Sequence, residues 1–194
     1  MQPTAHGPVR AASQALAGHT QMHHILEAPS RRRRAEFLAA VSRSRDLHRG
    51  LVTPPRTVEA FERYLARLRG PAHIGYWIRT SEDELAGVIT ISEIVRGAFQ
   101  SAYLGYYAFV PHNGHGRMSQ GLRAVLGEVF RVHRLHRVEA NIQPGNTASR
   151  ELVRGLGFRQ EGFSPRYLKV GGRWRDHERW ALTAENWRQY SNAA

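Results

Sequence analysis

The chain has 194 residues, enough for one domain with a sizeable core, and its 41% hydrophobic and 23% charged content is ordinary for a globular protein. It holds no cysteine, which excludes disulfides, thiolate catalysis and cysteine-based metal sites and makes a cytoplasmic location the default expectation. Net charge is +12, carried almost wholly by arginine because Lys169 is the sole lysine, and no apolar run reaches membrane-spanning length.

In chain order, residues 1–19 are small and polar and read as a mobile tail, without the apolar centre of a signal peptide. A single domain is expected over 20–190. Gln21 to Leu26 suits a first strand. Ser30 stands as an N-cap before a helix from Arg31 to Ser42, which bears Phe37, Leu38 and Val41 on one side. The run Arg31 to Arg34 opposes the helix dipole there, so it is either functional or simply tolerated. Thr57 can cap a second helix to Leu68, with Phe61, Tyr64, Leu65 and Leu68 at helical spacing.

The period then changes to two. His73 to Arg79, Leu85 to Ile94 and Ser101 to Val110 read as strands, the first pair joined by the acidic turn Ser81 to Glu84. Arg117 to Val132 is helical, Arg137 to Gln143 a strand, and Asn146 to Gly155 a short helix capped by Asn146. Phe158 to Phe163, Arg166 to Val170 and Arg173 to Leu182 alternate like strands, with Gly171-Gly172 as a hairpin turn, before a helical turn or two from Thr183 to Tyr190. This order predicts an α/β (α+β) fold: a mixed, mainly antiparallel sheet, helices on both faces, and one central strand–helix–strand crossover from Tyr103 to Gln143.

That crossover holds the most informative local feature. Pro111 ends its strand, and Asn113-Gly114-His115-Gly116 turns into the helix beginning at Arg117. A helix start presents unpartnered N–H groups and the positive end of the dipole, and glycines let those amides approach a ligand closely. The segment is either a plain turn or a cradle for phosphate or pyrophosphate. It is neither a P-loop nor a dinucleotide fingerprint, since both the Lys-Ser/Thr and the third glycine are missing.

The element order, the Asn113 to Met118 turn and the downstream Asn146-Thr147-Ala148-Ser149 resemble the GNAT superfamily of acyl-CoA-dependent N-acetyltransferases. The stretches ISEIVRGAFQSAYLGYY, LHRVEANIQPGNTASRELVRGLGF and YLKVGGRWRDHERWAL are similar to its RimJ/RimL branch, the ribosomal-protein-alanine N-acetyltransferases, over roughly Glu36 to Trp187. The resemblance implies acetyl-CoA as co-substrate, with its pyrophosphate on the amides of His115, Gly116, Arg117 and Met118. It implies pantetheine pairing along Tyr107, Ala108, Phe109 and Val110, with Asn146 and Ser149 beside it. Asn113 and Met118 depart from the usual cradle, which begins with Gln or Arg and ends with Gly or Ala; backbone contacts tolerate that change.

The resemblance further implies an acceptor amine, foremost a protein N-terminal α-amine, ribosomal or other, met by segments Arg31 to Pro55 and the Gly171 hairpin. Ser149 is the expected general acid for the thiolate, with Tyr103, Tyr106 and Tyr107 as alternatives. An α-amine of pKa about 8 is roughly a tenth neutral at pH 7, so a weak base suffices, through water if needed. Glu139 is the candidate base, or a partner for Arg137; Glu93 is the reserve. A backbone N–H between Tyr106 and Phe109 could stabilise the developing oxyanion. The competing readings are a small-molecule amine acceptor, such as an aminoglycoside, and a non-catalytic basic RNA-associated module. The histidines, including His23-His24, His133 and His136, lack ligand spacing, so no metal is expected. Ribosome association and oligomeric state, monomer or homodimer, stay open.

Overall fold

The computed structural model describes residues 26–193. The predicted tail and most of the predicted first strand lie outside them. The elements run β1 (Leu26–Glu27), a 3-10 turn (Arg31–Arg33), α1 (Arg34–Arg43), α2 (Arg45–His48), α3 (Val58–Arg67), β2 (Ile74–Arg79), β3 (Leu85–Val95), β4 (Ser101–Ala108), α4 (Arg117–Arg131), β5 (Arg137–Ile142), α5 (Thr147–Arg154), β6 (Arg159–Val170), β7 (Arg173–Thr183) and α6 (Ala184–Ala193). Among the described residues the strands form one sheet in the order β1-β2-β3-β4-β5-β7-β6, in which only β4 and β5 run parallel.

Two-residue alternation along the central strands feeds two cores, one on each face of the sheet. Trp77 and Val88 point to α1 and α3, where they meet Phe37, Phe61, Tyr64 and Phe109. Ile78 and Ile89 point the other way, onto Leu122, Val125, Leu126 and Val129 of α4. Phe37 is fully buried, tilted on Phe61 at 5.0 Å and edge-on to Phe109 at 5.9 Å. Burying such a ring contributes on the order of 1.5–3 kcal/mol. α6 closes the second core through Trp187, whose ring lies 6.1 Å from that of Phe130.

Several local expectations shift. Thr57 caps α3, its hydroxyl accepting from Ala60 N–H at 3.2 Å, whereas Ser30 makes no capping bond and the arginine run begins as a 3-10 turn. Three of those four arginines are tied down. Arg31 and Arg34 pair with Glu62 on α3, while Arg33 holds Glu27 at 3.0 Å and Asp83 at 2.8 Å. Arg79, only 4% exposed, reaches Glu36 at 2.8 Å and Asp83 at 3.0 Å. The run therefore fastens β1, α1 and α3 to the β2–β3 turn. The predicted pair of strands after α5 is one bulged edge strand, β6, whose register slips between Ser164 and Leu168 around Pro165.

Candidate active site

β4 and β5 pair only from Ser101–Tyr103 to Arg137–Glu139 and then part. Beyond that point β4 stays bonded to β3, with Phe109 N–H donating to Ala86 O at 2.8 Å. Alternate residues of an antiparallel pair exchange these bonds, so Tyr107 and Gly105 turn their backbone towards β3 while Tyr106 and Ala108 turn theirs into the opening.

A largely apolar cavity of about 430 Å³ occupies this opening, lined among others by Tyr106, Ala108, Gly116, Arg117, Asn146 and Ser149. At one end of it α4 starts from Gly116, whose φ of +74° belongs to the left-handed region, and an added Cβ there would meet nothing within 4 Å. Among the described residues no side chain caps this helix, and no acidic residue stands in its first turn. The amides of His115, Gly116, Arg117 and Met118 donate to no backbone group among the described residues. Arg117 adds a buried Nε without a partner. Unpartnered amides, an unpartnered guanidinium nitrogen and an apolar channel leading away from them fit a pyrophosphate joined to a pantetheine arm.

The far wall is α5. Asn146 Oδ1 accepts from Ser149 N–H at 3.2 Å, so the side chain caps the helix and leaves its amide nitrogen free. Arg150 pairs with Glu178 of β7 at 3.1 Å, and Tyr190 of α6 donates to Gly155 O at 2.7 Å. These contacts fix the helix that carries Ser149. Tyr106 OH lies 3.4 Å from Ser149 O, and burial pushes its pKa up to about 12, so it stays protonated.

A second cavity, about 300 Å³, lies between the segment after α2 and the tip of the β6–β7 hairpin. It is lined by Val52, Thr53, Pro54, Thr90, Gly105, Lys169 and Val170. Val52, Tyr106 and Tyr107 line both cavities, which therefore adjoin beside β4.

The predicted residues divide. Tyr107, Ala108, Gly116, Arg117, Met118, Asn146 and Ser149 line the larger cavity, while His115 sits in the turn just outside its lining. Phe109 is fully buried and its N–H is taken by Ala86; Val110 N–H donates to Ser44 Oγ at 3.0 Å. Those two amides are already engaged, which leaves Tyr106 and Ala108 as the cleft-facing backbone. Tyr103 and Glu139 are not brought to Ser149: with Glu93 they line a separate cavity of about 210 Å³. Glu139 is held by Arg137 at 2.8 Å, and a bond with Tyr167 pushes Tyr103 up to about 12. Glu93 pairs with His73 at 3.4 Å.

The residue that sequence reasoning missed is His48, at the end of α2. It is 2% exposed, lines the larger cavity, and packs edge-on to Tyr107 at 5.3 Å. Its Nε2 lies 2.8 Å from Ala108 O, while Nδ1 is buried without a partner. Burial holds its pKa below the ordinary imidazole value, so the ring is neutral. No local signal in the sequence marks it, since α2 is only the four residues RDLH.

Comparison with known proteins gives the same picture. A family model described as an acetyltransferase (GNAT) domain matches residues 24–159. The chain is 36% identical over 116 residues to a probable N-acetyltransferase of Bacillus subtilis (strain 168), covering 59% of this chain and 64% of the relative. It is 41% identical over 106 residues to the ribosomal protein uS5-alanine N-acetyltransferase of Escherichia coli (strain K12), covering 55% of each. It thus spans between half and two thirds of these relatives' lengths. Among solved structures, the RimJ protein of Mycobacterium smegmatis in complex with CoA-disulfide superposes with a TM-score of 0.77 at 28% identity, over 87% of this chain and 88% of that one. A sheet parted at β4 and β5, a glycine turn opening α4 and a match through most of the chain place it plainly: this protein belongs to the GNAT acetyltransferase family.

Proposed function

We propose that the protein transfers an acetyl group from acetyl-CoA to a primary amine, and that its acceptor is the N-terminal α-amine of a protein. The observation that carries this reading is the meeting of two cavities at Tyr106 and Tyr107. One is built for an anion with an apolar arm, and the other opens to solvent beside Lys169. No carboxylate lines the second cavity among the described residues. That favours a peptide end over a polycationic small molecule, whose charges would need acidic partners.

The bound thioester would supply an activated acetyl group at the parting of the strands. His115 to Met118 and Arg117 Nε would hold its phosphates, and Asn146 its amide-bearing arm. Tyr106 and Ala108 would turn their N–H groups to the acetyl oxygen. Ser149 would hold the proton destined for the sulfur, with protonated Tyr106 as its neighbour and alternative. Glu139, opposite Tyr103 at the last paired position, sits roughly 10 Å from Tyr106, beyond direct reach of an amine there, and would act only through a relay of water.

The test is a panel of short peptides differing only in the first residue, with a lysine peptide of blocked N-terminus and an aminoglycoside, read by thiol release from acetyl-CoA. Ala- or Ser-initiated peptides should turn over fastest, because the amine must reach the thioester between the splayed ends of β4 and β5, where a bulky first side chain would meet Tyr106. Faster turnover of the aminoglycoside or the lysine peptide would discard the α-amine reading while leaving acetyl transfer intact.

A further inference from the structure

β7 pairs with β5 only from Glu178 to Thr183. Its residues Arg173 to His177 pair with β6 alone, so Ser164 to His177 forms a two-stranded ribbon projecting past the sheet. Left-handed Gly171 and Gly172, at φ +58° and +81°, close its tip.

The charge on this ribbon is almost all of one sign. It carries Arg166, Lys169, Arg173 and Arg175 against the single carboxylate of Asp176, which accepts from Arg166 N–H at 2.7 Å. None of the four cations pairs with a carboxylate among the described residues, in contrast to Arg31, Arg33 and Arg34. The register puts Lys169 opposite Trp174 on one face and Arg175 opposite Leu168 on the other, so positive charge surrounds the ribbon. Trp174 is 60% exposed and packs on no aromatic ring among the described residues.

We propose that this ribbon docks on single-stranded RNA, with Arg166, Lys169, Arg173 and Arg175 on phosphates and Trp174 stacked on an unpaired base. Cations on both faces suit a flexible chain of phosphates that wraps the ribbon, and a free indole supplies the stacking surface that unpaired bases use. An acidic peptide would satisfy the cations but leave Trp174 without a role. Lys169 and Val170 also line the smaller cavity, so RNA on the ribbon would lie at the acceptor entrance. The choice of RNA over other polynucleotides rests on the protein-acceptor reading, a ribonucleoprotein being the partner that offers both. Binding is measured without acetyl transfer, so the two ideas fail separately.

The experiment follows the anisotropy of a labelled 12-nucleotide single-stranded RNA across a salt series. The chain's general positive charge is controlled by Arg63→Gln/Arg69→Gln, which removes two exposed cations from the α3 side. Arg173→Gln/Arg175→Gln should bind about tenfold more weakly, with a log–log salt slope reduced by about 1.4, at roughly 0.7 per lost phosphate contact. Trp174→Ala should weaken binding by about tenfold at an unchanged slope. The control pair should stay within about twofold of the parent. If the ribbon variants bind like the control pair, if Trp174→Ala is silent, or if polyglutamate displaces RNA as well as unlabelled RNA does, the proposal falls.

Discussion

His48 Nε2 lies 2.8 Å from the carbonyl oxygen of Ala108, a contact across 60 residues that ties α2 to the open edge of β4. A neutral ring with Nε2–H as donor satisfies that carbonyl and leaves Ala108 N–H to the cleft. His48→Phe keeps the ring packing on Tyr107 and Phe109 but strands the carbonyl, at a cost of about 1–3 kcal/mol. Coenzyme A affinity should fall with it, because the edge of β4 is no longer fixed. The sign of the pH effect is set by burial, which holds the folded ring below its unfolded pKa. The unfolded chain takes up a proton below pH about 6.5 while the folded one does not, so the parent loses stability as pH falls through that value. The Tm difference between parent and His48→Phe should therefore shrink between pH 7.5 and 5.5. A constant difference would show that the ring is not held neutral.

Ser149 and Tyr106 compete for one role, and a pair of substitutions separates them. Ser149→Ala should keep cofactor affinity within a few-fold and lower turnover by roughly 10²-fold if its hydroxyl delivers the proton. Tyr106→Phe loses only its 3.4 Å bond to Ser149 O and should cost less than about tenfold. Steady-state turnover with saturating acetyl-CoA decides it, and the reverse order would transfer the role to the tyrosine.

What was legible in the sequence was whatever local chemistry determines. The Asn113 to Gly116 turn, the Thr57 cap and the Gly171-Gly172 hairpin each rest on a few adjacent residues, and each stands where the pattern put it. Pro165 misled for a related reason: it marks a break in a paired strand, but β6 is an edge, and a bulge with Arg166 at φ +47° absorbs it. The arginine run could not be read, because its partners Glu27, Glu62 and Asp83 come from three other elements. His48 was invisible because its meaning is a contact 60 residues away, and RDLH is too short to show a helical period. Whether Glu139 faces the chemistry likewise depended on where β4 and β5 part, which no local pattern encodes.

Arg79 anchors that arginine network. Buried at 4% exposure between Glu36 and Asp83, it balances carboxylates that also bind Arg33 and, through Glu36, the N–H of Leu85. Arg79→Ala should destabilise by about 2 kcal/mol, since it removes a buried side chain and its charge-assisted hydrogen bond to Glu36, while solvent-exposed Asp83 is screened and both carboxylates keep Arg33. That corresponds to a Tm loss of roughly 4–8 °C for a domain of this size. Arg32→Ala, at the one position of the run without an ion pair among the described residues, should change Tm by less than about 2 °C. Equal losses would mean that the network contributes nothing beyond ordinary surface charge.

Gly116 offers the cleanest test of the cofactor cradle, because its conformation and its openness can be separated. At φ +74° any side chain is strained, so Gly116→Val should lose stability whether or not a ligand binds there. Gly97, in the β3–β4 turn, has φ +71° and equally empty surroundings, and Gly97→Val carries the same strain far from the cradle. Both variants should melt below the parent by similar amounts. Coenzyme A raises Tm by binding only the folded state, and at a concentration 100-fold over Kd the gain is about 2.7 kcal/mol. That rise should survive in Gly97→Val and be lost in Gly116→Val, where the new methyls occupy the space in front of the amides of His115 to Met118. Thermal melts of the three proteins with and without coenzyme A decide the matter, and a full ligand-induced rise in Gly116→Val would show that the pyrophosphate lies elsewhere.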